Sequence, residues 1–192
     1  MSRSIGKRPQ KAPIITLIGE GITEQYYFKH IRTLYGYRYT LKPYFFGTTS
    51  LQDMDRKISE VIDGNGIAIC VFDTDVSERV EAEKKKFTAL LKKHEKKKNV
   101  IFCDSLPSIE FWFLLHYQNT NRHFNNSKDV EKGLKAFMEN YDKKTMFLEK
   151  EKWVSDLCSD NKLETAILRS KSFGDESPSY SNIYKAFEKF RQ

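Results

Sequence analysis

The sequence predicts an α/β fold: a parallel four-stranded sheet flanked by helices, with a helical C-terminal appendage. Three observations predict it. Ile14 to Ile18 and Ile67 to Phe72 are continuous apolar runs, the pattern of strands buried on both faces. Segments of helical period separate these and two further strand candidates in the order βαβαβαβα, for which a parallel sheet with right-handed crossovers is the expected solution. Beyond Asn119 only amphipathic helical patterns follow.

Residues 1–12 are polar and basic and read as a flexible tail, and Pro13 opens the first strand. Glu20 to Tyr35 reads as a helix stopped by Gly36, with Ile22, Tyr26, Phe28 and Ile31 partly on one face. Tyr39 to Phe46 alternates as a strand would, interrupted by Pro43, which places it at an edge or a bulge. Leu51 to Ile62 is helical and closes at the turn Asp63-Gly64-Asn65-Gly66. Glu78 to Lys93 forms a charged helix around Val80, Phe87, Leu90 and Leu91. Asn99 to Cys103 is a fourth strand, and Ser105 to Tyr117 a mostly apolar helix entered through Pro107-Ser108. Val130 to Tyr141, Lys162 to Lys171 and Ser181 to Arg191 are amphipathic helices with no further strand between them. The division expected is a core over 13–118 and a helical portion over 119–192 packed on it.

At 192 residues, 39% hydrophobic and 14% aromatic, the chain is long enough for one well-buried core and short for two. A net charge of +7 favours polyanionic partners, nucleic acid or nucleotide phosphate. Three scattered cysteines, Cys70, Cys103 and Cys158, fit neither a zinc knuckle nor a disulfide framework, and Cys70 and Cys103 read as small core residues. No apolar stretch approaches the ~18 residues of a membrane span, and the N-terminus lacks a hydrophobic signal core. A reducing cytoplasm is the expected location.

The chemistry lies where two strands end. Gly19-Glu20-Gly21-Ile22-Thr23-Glu24 follows the first apolar run and Asp73-Thr74-Asp75 follows the third strand. In an open parallel sheet, ligands collect beyond the carboxyl ends of the strands, so both clusters can converge on one crevice. Four carboxylates there repel unless a cation or proton joins them. Oxygen ligands without histidine or cysteine suit Mg²⁺ or Mn²⁺. Glu24 follows Glu20 by one helical turn, so both can face one side. Asp73 and Asp75 leave an extended chain on the same side. The plainer readings are acidic residues complementing a helix N-terminus at Glu20 and Glu24, and a loop with an N-cap at Asp73 and Asp75. A buried strand ending in two mutually repelling carboxylates is the kind of local conflict tolerated for function.

These residues carry a resemblance. The glutamate after the first strand, with Asp-x-Asp after the third, resembles a Toprim domain, the metal-binding module of topoisomerases, primases and overcoming-lysogenization-defect nucleases. Three segments resemble the RloB or AbiL-type abortive-infection family more closely: Gly19 to Phe28, Val71 to Asp75, and Pro107 to Tyr117 with its Pro-Ser-Ile-Glu start. Pro178-Ser179 also fits, and the resemblance spans nearly the whole chain; Leu106 stands where the family often carries asparagine. The resemblance implies that Glu20, Asp73 and Asp75 are the primary metal-site carboxylates, with Glu24 beside them and Glu110 as an additional member. It implies metal-assisted phosphodiester chemistry, a nuclease acting on DNA or RNA in anti-phage defence. It also implies an ATPase partner of the AAA or ABC type, beside which proteins of this family are usually encoded; this chain carries no Gly-Lys-Ser/Thr P-loop, so any ATP-driven step comes from elsewhere. A homo-oligomer is compatible with all of this.

Two other readings stay open on the sequence. Asp73-Thr74-Asp75-Val76-Ser77 also fits the nucleophile loop of a haloacid-dehalogenase-like phosphatase, with Asp73 attacking phosphate, Asp75 donating a proton and Ser105 binding the phosphoryl group. Alternatively the chain is a non-catalytic nucleic-acid-binding subunit. Lys84, Lys85 and Lys86, with the lysines at 92–93 and 96–98, could touch phosphates, though interleaved glutamates also make them a solvated helix face. Lys171, between Ser170 and Ser172, is a further phosphate contact or simply a helix end. His116 and the Phe111-Trp112-Phe113 run read as core.

Overall fold

The computed structural model describes residues 13–19, 21–41, 51–74 and 81–192. Glu20, Asp75, the basic tail over 1–12, the continuation of the second strand through Pro43 to Phe46 and the start of the third helix at Glu78 lie outside them.

Strand β1 (Ile15–Gly19) leads into α1 (Ile22–Tyr35), which Gly36 ends in the left-handed conformation (φ 64) that glycine adopts without steric cost. Then follow β2 (Thr40–Leu41), α2 (Leu51–Asp63) and β3 (Ile67–Asp73). After them come α3 (Glu81–His94), β4 (Val100–Leu106) and α4 (Ile109–Leu115). The remaining elements are α5 (Ser127–Lys135), α6 (Thr145–Leu148), α7 (Lys152–Cys158), α8 (Lys162–Phe173), β5 (Tyr180–Ser181) and α9 (Tyr184–Phe190).

The sheet has the order β2-β1-β3-β4-β5. Strands β1 to β4 are mutually parallel, with Gly19 opposite Val71 and Asp73 opposite Ser105. This is the α/β arrangement expected, with helices flanking a mainly parallel sheet. One correction concerns the C-terminal portion, which does contain a strand. β5 pairs antiparallel with β4, Ser105 opposite Ser181 and Leu106 opposite Tyr180, and so gives a fifth strand to the sheet. Two residues are too few for a period to show in sequence, and the pairing joins positions 76 apart. The same pairing claims Ser105 and Leu106 for β4, so α4 starts at Ile109 rather than at Ser105.

β3 is central and its first six residues are buried, which explains why its sequence is apolar without alternation. The core runs without a break from the sheet into the C-terminal helices: Leu17, Ile69, Phe28, Phe111, Trp112, Val154, Ala166 and Phe187 belong to one buried cluster. Trp112 Nε1 donates to Tyr27 Oη at 2.7 Å, and Trp112 stacks on Phe187 at 5.7 Å, tying α1, α4 and α9 together. Burying two aromatic polar atoms is tolerable because each satisfies the other.

His116 is a core residue: it is 2% exposed and its Nδ1 donates to the Trp112 carbonyl at 2.9 Å. Burial drives its pKa down to about 4, so it stays neutral in the fold. The unfolded chain binds a proton near pH 6.5 that the folded chain refuses until about pH 4. Stability present above pH 6.5 is therefore lost as pH falls through this window, by about 3 kcal/mol from this group. Thermal unfolding followed from pH 7 to 4 should show a shallower loss in His116→Gln than in the parent chain; equal slopes would refute the assignment.

Candidate active site

Because β1 and β3 are neighbouring parallel strands, their carboxyl ends lie side by side at one edge of the sheet. Asp73 is the last residue of β3 and is half-buried. Its Oδ1 accepts a hydrogen bond from the Ile109 backbone N at 2.8 Å, so it satisfies a donor at the start of α4 that the N-cap Ser108 side chain leaves unbonded. The next residue, Thr74, is held against β4 by its N and Oγ1, both of which donate to the Ser105 carbonyl at 2.9 and 3.1 Å.

Glu24 lies in the first turn of α1 and is 4% exposed. A Cβ added at Gly21 would meet Glu24 Oε2 at 2.6 Å. Glycine at that position thus leaves room for the carboxylate to fold back against the turn joining β1 to α1. The structure therefore brings Asp73 and Glu24 to the carboxyl edge of the sheet. The two remaining candidates, Glu20 and Asp75, lie outside the described residues, one step beyond Gly19 and Thr74. Among the described residues no group of three or more His, Cys, Asp or Glu side chains is arranged to hold a metal ion. The donor chemistry of the two described acids nevertheless fits a hard cation. Carboxylate oxygens are the donor type that Mg²⁺ and Mn²⁺ take.

Glu110 is placed differently. It is fully buried, and its oxygens accept from Ser108 Oγ at 2.6 Å and Tyr141 Oη at 2.8 Å while Lys143 Nζ lies at 3.0 Å. Lys143 also reaches Glu131 at 2.9 Å. Burial opposes the charge on Lys143, but the two glutamates outweigh it and raise the lysine pKa. Burial, then the charge of Glu110, with Glu131 and Glu24 adding to it, raises the Tyr141 pKa well above its usual value, which keeps the hydroxyl protonated as a donor. Through Ile109, this cage of side chains sits one residue from the N–H that Asp73 accepts. Sequence reasoning missed Ser108, Glu131, Tyr141 and Lys143 as members. The last two come from the segment between α5 and α6, 31 or more residues from Glu110, and no local spacing marks them.

The phosphatase reading loses its phosphate ligand. Ser105 is 1% exposed, and its Oγ is hydrogen-bonded to Ser181 Oγ at 2.8 Å beneath β5, so it cannot face a substrate. Lys171 pairs with Glu188 at 2.6 Å and lies 5.6 Å over the Tyr184 ring, on the C-terminal helices. Lys84, Lys85 and Lys86 are exposed on α3, where Lys85 is 3.9 Å from Glu81.

The model of the RloB-like protein family matches residues 15–189. The chain belongs to the RloB-like family. The match runs from the first residue of β1 into α9 and so contains Glu20, Glu24, Asp73, Asp75 and Glu110. Neither the curated proteins nor the solved structures include a match to the chain. No helix among the described residues is long and apolar enough to cross a membrane.

Proposed function

We propose that the chain is a metal-dependent nuclease of the Toprim type, acting in prokaryotic anti-phage defence. The observation that supports this reading is that Asp73 ends β3 while Glu24 lies in the first turn of the helix following the adjacent parallel strand β1, in a chain of the RloB-like family. In this reading Glu20, Asp73 and Asp75 hold Mg²⁺ or Mn²⁺, with Glu24 beside them. The ion, when bound, supplies Lewis acidity toward a phosphoryl oxygen and a more acidic water. Glu110 serves as a positioning residue: fully buried and engaged by Ser108, Tyr141 and Lys143, it braces the start of α4 and with it the N–H on Asp73.

The chain's own groups do the remaining work. Asp73 is oriented by the Ile109 N–H, which holds its carboxylate at the end of β3. Glu24, or Glu20 in place of its ligand role, is the candidate general acid or base, since a carboxylate crowded by like charges holds a proton more readily. The net charge of +7 draws a polyanion toward the protein, and the exposed Lys84, Lys85 and Lys86 of α3 supply phosphate contacts away from the crevice, with Lys171 a further one. An ATPase of the AAA or ABC type is the proposed partner. The free, buried thiols of Cys70 and Cys103 suit a reducing cytoplasm.

The test is cleavage of supercoiled plasmid, single-stranded DNA and RNA with Mg²⁺ or Mn²⁺, with and without the partner ATPase, beside hydrolysis of a small phosphate monoester. Glu20→Gln should abolish phosphodiester cleavage. Monoester hydrolysis that survives Glu20→Gln, with no nucleic acid cut under any condition, would sink the nuclease reading. Nucleic-acid binding without turnover under all these conditions would favour a binding subunit instead.

A further inference from the structure

Toward the carboxyl edge of the sheet, on its β4 and β5 side, stands a cation that nothing argued above uses. Arg122 belongs to the stretch between α4 and α5, and its Cζ sits 4.5 Å from the centre of the Phe124 ring. Phe124 is 4% exposed and anchored twice: its ring packs on Phe111 at 5.9 Å, and its backbone N donates to Ser179 Oγ at 3.1 Å. These anchors fix where Arg122 stands relative to the sheet. Tyr180 is paired with Leu106, the last residue of β4, and β5 runs antiparallel, so Ser179 lies one step beyond the carboxyl end of β4. Asp73 ends the parallel strand β3 opposite Ser105, and Phe111 is two residues from Ile109, whose N–H holds Asp73. The phenylalanine that carries Arg122 and the aspartate of the crevice therefore lie toward the same edge of the sheet.

Three features of this place point to an anion. Arg122 is exposed, and among the described residues its guanidinium pairs with no carboxylate and donates to no acceptor. Arg56 and Arg191, by contrast, pair with glutamates, and Arg169 donates to the Leu115 carbonyl. Secondly, Arg122 lines a cleft of about 430 Å³ with His123, Phe124, Asp129, Lys132 and Gly133. Lys132 lies 3.6 Å from Asp129, so those two charges offset each other and Arg122 is the cation left over. The third feature is Gly133, in the interior of α5. A Cβ there would meet Arg122 Nη2, Leu114 Cδ2 and Phe124 Cε1 each at 3.8 Å, which is ordinary contact, and its φ is not positive. Neither space nor backbone conformation requires glycine, and a helix interior disfavours it relative to alanine. Its effect is to leave the wall beside the guanidinium bare.

We propose that this cleft is a phosphate-binding site for nucleic acid, in which Arg122 holds a backbone phosphodiester a few nucleotides away from the bond presented to the acidic crevice. The planar guanidinium offers paired N–H donors that match two phosphate oxygens, and it keeps its charge throughout the physiological pH range. A phosphodiester carries a single negative charge, as the single uncompensated cation of the cleft requires. The carboxylates of the crevice repel a polyanion. A cation set apart from them toward the same sheet edge attracts the strand without neutralising the groups that would hold the metal. The choice of nucleic acid rests on the nuclease reading, whereas the anion-binding character rests on Arg122 and its cleft alone.

The experiment is fluorescence anisotropy of a short labelled single strand on the full chain in EDTA, repeated over a series of NaCl concentrations. Arg122→Gln should weaken binding about tenfold at low salt, as losing a charged hydrogen-bonding contact does. It should also reduce the slope of log K against log[NaCl] by about 0.7, the counterion release at one phosphate of a single strand. Arg122→Lys keeps the charge without the fork and should retain the parent slope. Asp129→Asn removes the acid of the cleft and should tighten binding, a change of opposite sign that misfolding does not produce. Arg122 is exposed, so its variants should fold, and unchanged thermal unfolding verifies that. Binding by Arg122→Gln within twofold of the parent, with the parent slope, would overturn the assignment and leave the nuclease reading untouched. Failure of the parent chain to bind any strand would also overturn it, and the nuclease reading falls as well only if no strand is cut with Mg²⁺ or Mn²⁺. Poly-glutamate that displaces the strand as readily as unlabelled strand does would assign the cleft to carboxylates instead and overturn the proposal.

Discussion

Asp73→Asn should lower divalent-dependent cleavage by at least about 100-fold, the upper end of what losing even an indirect metal-supporting contact costs. Asparagine is the informative replacement because its Oδ1 can still accept from the Ile109 N–H, now 2.8 Å from Asp73 Oδ1. The start of α4 therefore keeps its partner while the charge is lost. Asp73→Ala removes both, and should cost about 1 kcal/mol of stability in addition, as the loss of a capping acceptor usually does. In the absence of metal, Asp73→Asn should unfold at or slightly above the parent temperature, since one source of carboxylate repulsion is gone. The measurements are initial cleavage rates, Mn²⁺ titration calorimetry and thermal unfolding with and without the ion. Parent-like cleavage together with parent-like Mn²⁺ affinity in Asp73→Asn would remove this residue from the centre.

Lys143→Met should destabilise the protein by about 2–3 kcal/mol. Breaking a buried ion pair from one side typically costs about 3–5 kcal/mol. The lower figure applies because Lys143 is 39% exposed and the Ser108 and Tyr141 hydroxyls remain on the carboxylate. The cost arises from Glu110, which is 0% exposed and would lose the only cation paired with it among the described residues, whatever its protonation state. Adding Glu110→Gln to Lys143→Met should therefore restore part of the loss, because the double variant buries an amide in place of an unpaired charge. Chemical denaturation of the two single variants and the double variant measures this coupling. A Lys143→Met protein within about 0.5 kcal/mol of the parent would show that Glu131 and Lys143 form a surface pair with no bearing on Glu110.

The residues that could be read in order along the chain share one property: their structural role depends on near neighbours. Ile67 to Phe72 is apolar throughout because β3 is covered on both faces, and a continuous apolar run records that directly. Gly36 follows the last turn of α1 and takes the left-handed conformation that stops it, again a local matter. The placing of Asp73 at the end of β3 and of Glu24 just past β1 follows from the same short-range pattern, and parallel pairing of β1 with β3 then sets the strand ends side by side. The sequence by itself thus determined the α/β class, the central strand and the strand ends beside which Asp73 and Glu24 lie.

Tertiary structure alone decided what surrounds Glu110. Its partners Tyr141 and Lys143 come from a segment between two helices and carry no periodic signal, and a buried carboxylate cannot be told from an exposed one by its flanking residues. The same holds for β5, two residues long, whose pairing with β4 closes Ser105 away from solvent and so rules out a phosphate-binding role that the strand-end position of Ser105 had allowed. It holds too for Arg122, whose place is set by Phe124 meeting Phe111 and Ser179 from separate stretches of chain. Periodicity reports which face of an element is apolar; only the packing of elements against one another reports which charges are paired, which are left open and which hydroxyls are covered.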